Sequence, residues 1–345
     1  NTGVGSASLG ATTTGHSNTS VGHASLDANT TANYNVGVGK DSLTETTTGE
    51  NNTAVGTFAG NNNTTGENLV AIGYSALLAN TTASNNTAVG KSSLDATTTG
   101  AENTAVGAGS LGANTTAIRN TALGFNALDT CTTGGNNTAL GWTAGDALTT
   151  GHSNVLLGYN SGVTLTTGIK NIVIGLDSGV SANNADSQIA IGYALIGHGD
   201  NKFTFGTGSG DNRVYNGYTS NASWARVSDQ RYKENIVPNN DCGLAFLNDI
   251  KPITFTWKAK SDIDSDLPDY NEKETTPKYD RKLYGLIAQD VKEAMDKHGV
   301  QDFGGWDIEE TTGIQSISQE MFIHPLIKAV QELSAKVEEL ENKLN

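Results

Sequence analysis

An aliphatic residue followed by glycine returns every 17 positions through the first half of the chain: Val4-Gly5, Val21-Gly22, Val38-Gly39, Val55-Gly56, Ile72-Gly73 and onward to Ile191-Gly192. The pattern runs through twelve rungs without a slip. Asn stands four residues before the glycine in ten of them, with Leu69 and Gln188 in the other two. Leu usually follows the glycine by four, as at Leu9, Leu26, Leu77 and Leu128, and "TTG" or "TTA" precedes it by seven to nine until the last rung reads "NNA". A fixed period of this length is the signature of a solenoid, one supersecondary unit per repeat. Each rung predicts two short extended pieces and two turns. Stacked in parallel, like residues lie over like, Asn side chains form a hydrogen-bonded ladder, and glycines take turn conformations closed to other residues. Twelve rungs at about 4.8 Å give a body roughly 55 Å long.

The apolar share of a rung is one branched aliphatic, one or two Ala and a Leu. That is thin against a backbone ordering cost of roughly 1–2 kcal/mol per residue and a return of about 25 cal/mol per Å² buried. Association with further copies is therefore expected. The "N-x-x-V-G" rung resembles the parallel β-roll heads of trimeric bacterial adhesins and similar phage fibre segments, over about residues 1–195. The Thr pairs do not make an ice-binding lattice, because adjacent strand residues face opposite sides. Tyr74, Phe125, Trp142, Tyr159 and Tyr193, just after the glycine, form a partial column suited to packing between rungs or subunits, or to stacking on sugars.

From Tyr193 the period stops, and "KFTFGTGSGDNRVYNGY" reads as strand, Gly-rich turn, strand. Phe203, Phe205, Tyr215, Tyr218 and Trp224 crowd this connector, either plugging the open end of the solenoid or offering a receptor surface. Beyond it the pattern is a small α+β domain. Asn240 or Asp241 is placed to cap a helix carrying Leu244, Leu247 and Ile250; Ile253, Phe255 and Trp257 alternate as a strand; Ile287, Val291, Ala294 and Met295 mark the core side of a helix ended by Gly299. Asp262 to Asp280 reads as a charged loop. Leu326, Val330, Leu333, Val337, Leu340 and Leu344 alternate four and three apart after Pro325, a coiled-coil seam that aligns parallel copies, with Lys336 and Glu341 at flanking positions. The expected organisation is thus a mainly β chain: a solenoid over 1–195, a β connector over 196–227, an α+β domain over 228–325 and a coiled coil over 326–345.

Charge sharpens the boundary. Residues 1–227 hold 7 Lys+Arg and 13 Asp+Glu, leaving 14 and 23 for the remaining 118. Both parts are net negative, by 6 and 9, and neither has a basic cluster, so nucleic acid and anionic lipid are excluded as electrostatic partners. Cys131 and Cys242 fall in different parts without metal-ligand spacing, so neither disulfide nor metal is expected, nor any cofactor. No signal peptide or membrane span is visible. Asn1 already occupies a repeat register without an initiator Met, so further sequence is expected upstream.

Three blocks stand in order across the charged part: "SDQRYKENI" from Ser228, "YGLIAQDV" from Tyr284 and "HPLIKAVQELSAKVEEL" from His324. Together they resemble the C-terminal intramolecular chaperone, an auto-processing serine peptidase domain, of phage endosialidase tail spikes and tail fibres. The resemblance implies a Ser-Lys dyad that cuts just before the serine once a trimer has folded, with Ser228 as nucleophile, Lys233 as base and the scissile bond between Val227 and Ser228. A serine hydroxyl needs a base, and a lysine serves only when burial or nearby positive charge lowers its pKa, a charge Arg231 is placed to supply. The bland alternative is that Ser228 caps the new domain and Lys233 is a solvated lysine. The resemblance further implies a homotrimeric virion fibre, assembled in the host cytoplasm, joined to upstream phage tail proteins and bound to a bacterial surface glycan or protein. Two rivals are a surface adhesin or stalk that never cuts and a glycan-degrading spike, for which Asp129 and Asp146, or Glu50 and Glu67, supply carboxylates one rung apart.

Overall fold

The computed structural model describes every residue except 210–211, 218–224, 227–229, 231–232, 278–280, 311 and 345; of 225 and 226 it describes the backbone alone. The chain divides into two compact units, Asn1–Lys233 and Glu234–Asn345.

In the first unit every rung contributes one three-residue strand, from β1 (Thr2–Val4) to the longer β12 (Ile189–Tyr193). Neighbours pair in parallel with an offset of one rung: Thr53 opposite Val70, Ala54 opposite Ala71, Val55 opposite Ile72. The fold is the predicted solenoid of 17-residue rungs, with two corrections. The second extended piece is absent. In its place the rungs from Gly5 to Gly158 curl through turns in which residues two, four and twelve after the glycine take left-handed backbone, for example Ala24 (φ 51°), Leu26 (φ 51°) and Tyr34 (φ 59°). Such residues cost roughly 1–2 kcal/mol each. Backbone bonds to neighbouring rungs offset this, as Ala24 N–H donates to the Ser6 carbonyl at 2.9 Å and Leu26 N–H to that of Ser42 at 3.0 Å.

The second correction concerns the core. A three-residue strand turns only its middle side chain inward. Ala54 is fully buried while Val55 and Ile72, the residues before the glycine, are each 38% exposed. The column of branched aliphatics therefore lies on the outer face, and the core is Ala two before the glycine plus Leu four after it, as at Leu26, Leu43, Leu77, Leu94, Leu111 and Leu128. Where Leu156 replaces that Ala, the flanking Leu positions become Gly145 and Gly162. A Cβ on Gly145 would lie 2.6 Å from Leu156 Cδ1, so the exchange conserves volume. The repeating glycine itself is needed for a different reason: Gly56 has φ +136°, and its Cβ would sit 2.5 Å from the next rung's Gly73 carbonyl oxygen.

Half of the interior is polar and is organised by the Asn ladder. Asn35 N–H donates to Asn18 Oδ1 at 2.9 Å, and Asn52 N–H to Asn35 Oδ1 at 2.9 Å. The Nδ2 of each closes its own rung, Asn35 onto the Gly49 carbonyl at 2.9 Å. Leu69 breaks the ladder, and Asn80 Nδ2 serves the Ala83 carbonyl of that rung at 3.1 Å. The substitute is weaker beside Asn120, whose Nδ2 reaches the Gly134 carbonyl at 2.9 Å and whose Oδ1 accepts from Asn137 N–H at 2.9 Å. There the equivalent of Asn80 is Cys131, a weak donor 3.3 Å from the same carbonyl. Asn120→Ala is expected to cost about 2–5 kcal/mol, since each orphaned buried group costs about 1–3. Asn103→Ala should cost less, because Asn114 also reaches the Ala117 carbonyl, at 3.4 Å. Thermal melts of the two variants check the order.

After Gly192 the spacing shortens, yet the stack does not stop. β13 (Lys202–Thr207) continues it in parallel, with Gly206 opposite Gly192. The predicted hairpin follows: β14 (Arg213–Gly217) is antiparallel to β13, and β15 (Ala225–Arg226) is antiparallel to β14 as the fifteenth strand of the sheet among the described residues.

The second unit packs α1 (Leu244–Asp249), α2 (Ala288–His298) and α3 (Ile323–Leu344) with two antiparallel strand pairs, β16 (Ile253–Phe255) with β17 (Leu283–Gly285) and β18 (Trp306–Ile308) with β19 (Gln315–Ile317). Its core is Cys242, Phe246, Val291, Ala294, Met295, Val300, Phe303 and Phe322. Gly299 ends α2 in the left-handed form, as expected. Three details depart from the sequence reading. Ile287 and Trp257 are exposed, the strand ending at Phe255. Neither Asn240 nor Asp241 caps α1: Gly243 precedes it, and Leu244 N–H donates to Glu332 of α3 at 2.8 Å. Lastly, α3 starts at Ile323, because proline is tolerated in a first helical turn.

Candidate functional site

Val227, Ser228 and Arg231 lie outside the described residues. Lys233 is exposed, with its backbone N–H donating to the Gln230 carbonyl at 3.1 Å. Upstream of the Val227–Ser228 bond, β15 holds Ala225 opposite Tyr215 and Arg226 opposite Val214. The chain thus reaches that bond from the outermost strand of the solenoid sheet.

Of the connector aromatics, Tyr218 and Trp224 also lie outside the described residues. Phe203 and Phe205 pair with Ile189 and Ile191, so they extend the outer aliphatic face, while Thr204 between them is buried. Neither phenylalanine enters the core as a plug. Tyr215 stacks on His198, ring centroids 3.6 Å apart and planes 15° apart, with Lys202 Nζ 5.0 Å from its centroid. Burial, then Lys202 and Arg213, push the His198 pKa down. Arg213 Nη1 donates to the carbonyls of Ile196 and Gly197, tying β14 to the last turn of the solenoid. Farther up, Phe125, Trp142 and Tyr159 are exposed and meet edge-on, with centroids 5.5 and 6.1 Å apart. Most "TT" pairs commit their first hydroxyl to the ladder, as Thr47 Oγ1 donates to the Thr64 carbonyl at 3.2 Å.

Of the carboxylates of the glycosidase alternative, Glu50 is engaged locally, accepting from Asn33 Nδ2 at 2.6 Å. Burial, with Asp146 and Asp95 behind it, raises the Asp129 pKa; burial raises those of Asp146 and Asp95. Folded-state pKa values above the unfolded value give a stability contribution that is present below the unfolded carboxylate range and lost as pH rises through the folded pKa. Asp129→Asn is therefore expected to raise the melting temperature at neutral pH, with the gain shrinking towards about pH 4. Parallel melts of variant and parent at the two pH values measure this.

Along α3, Leu326, Val330, Leu333, Val337, Leu340 and Leu344 are all exposed, while Pro325 and Ala329 are buried. Glu332, three residues after Ala329, is the residue that local pattern missed: its partner Leu244 is 88 positions away. A second unforeseen tie joins the ends of α1 and α2, where Asp249 accepts from Lys297 Nζ at 2.8 Å and pairs with His298 Nε2 at 2.6 Å. These two bonds hold the Asp249 carboxyl below the usual range.

Residues 228–300 match the model of a peptidase family described as the chaperone of endosialidase. A β-solenoid followed by such a segment is similar to the arrangement of a tail fibre with a C-terminal chaperone domain. No curated protein and no solved structure matches the chain.

Proposed function

We propose that this chain is the distal part of a homotrimeric phage tail fibre or spike, whose C-terminal domain aligns three solenoids and then releases itself by cutting between Val227 and Ser228. The observation that carries the reading is that the chaperone match begins at Ser228, two positions after Arg226 of β15, the last described strand of the solenoid sheet. Ser228 Oγ attacks the Val227 carbonyl carbon while the Lys233 amine takes the hydroxyl proton. Collapse of the tetrahedral adduct breaks the peptide C–N bond, and the lysine ammonium returns its proton to the departing Ser228 amine. Water then hydrolyses the resulting ester, leaving a Val227 carboxylate and a free Ser228 hydroxyl. Lys233 is exposed in the single chain, so the desolvation that favours the neutral, proton-accepting amine of a lysine comes from assembly. This orders the steps: trimer first, cut second.

The released body binds its receptor, a bacterial surface glycan or protein, through the solenoid flank or the connector aromatics, and does not degrade it. The local engagement of Glu50 supports binding over hydrolysis. Mass spectrometry of freshly made protein under denaturing conditions tests the reading. Fragments 1–227 and 228–345 are expected from the parent; a chain that stays whole after assembly makes it a non-cleaving adhesin or stalk.

A further inference from the structure

Among the described residues, Ala225 and Arg226 of β15 pair with the edge of β14 that β13 leaves open. Arg226 stands one residue before the bond proposed for cleavage. Backbone hydrogen bonding to a strand edge is a general way to bind an extended peptide, with little demand on its side chains. β14 is also well anchored: Arg213 ties it to the Ile196 and Gly197 carbonyls, and Tyr215 stacks on the His198 ring with the Lys202 ammonium 5.0 Å from its centroid. These partners exist in place only when the last turn of the solenoid has formed.

We propose that β14 is the substrate-holding strand of the self-cleavage reaction: its edge binds the chain's own Ala225–Arg226 in extended form and positions the acyl side of the Val227–Ser228 bond. This rests on the self-cleavage reading and adds no covalent step to it. Holding the carbonyl carbon of Val227 in one place raises the effective concentration of the Ser228 hydroxyl beside it. Because β14 is fastened to the final turn, the bond is presented only by a chain whose solenoid end has folded. The cut is thereby linked to completion of the solenoid as well as to assembly. The ligand class of this site is an extended peptide of this chain, recognised by its backbone.

The test uses the full chain, with the cleaved fraction followed by mass spectrometry at fixed times after synthesis. Ala225→Pro and Arg226→Pro each remove a β15 N–H without touching the solenoid turns. At least one is expected to slow cleavage tenfold or more, with the midpoint of the rate against pH unchanged. Restoring the N–H by serine at 225 or lysine at 226 is expected to recover the rate. Tyr215→Ser, which removes the stacked ring, is expected to slow cleavage several-fold; the melting temperature of the same change in a Ser228→Ala background reports whether the solenoid survives. Both proline variants cleaving at the parent rate would overturn the proposal, as would slowing by the serine and lysine changes as severe as by proline. A parent that does not cleave, or a Ser228→Ala chain that does, instead overturns the cleavage reading itself.

Discussion

Removal of residues 326–345 is expected to leave the solenoid insoluble or polydisperse, a near-complete loss of correctly assembled protein. The outer aliphatic column repeats at every rung, so two solenoids side by side that slip by one rung still match Val to Val or Ile to Leu. Wrong registers are then almost as good as the right one. The seam on α3 has no such repeat partner and fixes an absolute alignment. Its apolar positions reach 86% exposure at Leu344, so the helix is incomplete by itself. At 22 residues it is also marginal in isolation, where nucleation is costly and packing supplies most stability. Because the deletion also removes Ala329 and Glu332, which dock α3 on α1, a second variant separates the two effects. Val337→Glu with Leu340→Glu lies beyond that docking and is expected to give the same failure. Light scattering after size exclusion checks both; a soluble, cooperatively melting trimer from either would argue against the aligning role.

Lys233→Arg is expected to abolish cleavage as fully as Ser228→Ala, although it keeps the charge. A guanidinium stays protonated at any pH a folded protein survives, so it cannot accept the hydroxyl proton. Lys233→Ala should behave alike. Loss of a positioned base typically costs 10²–10⁴-fold, about 3–5 kcal/mol of barrier at 1.36 kcal/mol per decade. If Lys233 merely supplied charge, arginine would retain most of the rate. Quantifying the cleaved fraction of each variant over days separates the two roles.

The solenoid was legible because its period is strict: Gly5 to Gly192 defines the rungs, and Asn18 to Asn171 announces the ladder. What the pattern could not say is which way a side chain faces when the strand is only three residues long. Val55 and Ala54 are both apolar, and only the backbone decides that Ala54 goes in. Left-handed Leu26 and Leu43 gave no warning either, since leucine carries no turn signal. In the second unit, α2 with Gly299 was readable from helical spacing. Phe246, Phe303 and Phe322 were not placed, because two of them sit outside regular helices or strands and meet through irregular segments. Nor was the Glu332 contact with Leu244, for which no local residue carries a cue. Of the proposed processing site, sequence supplied Ser228 and Lys233, while the edge strand just upstream emerged only from the sheet order.

Native mass spectrometry of freshly purified full-length chain tests the central claim most directly, because it reads assembly and cutting together. The prediction is one species of about 108 kDa, three times the 35.9 kDa chain, that on denaturation resolves into 1–227 and 228–345, before or after the two parts separate. A stable monomer of intact chain would contradict it.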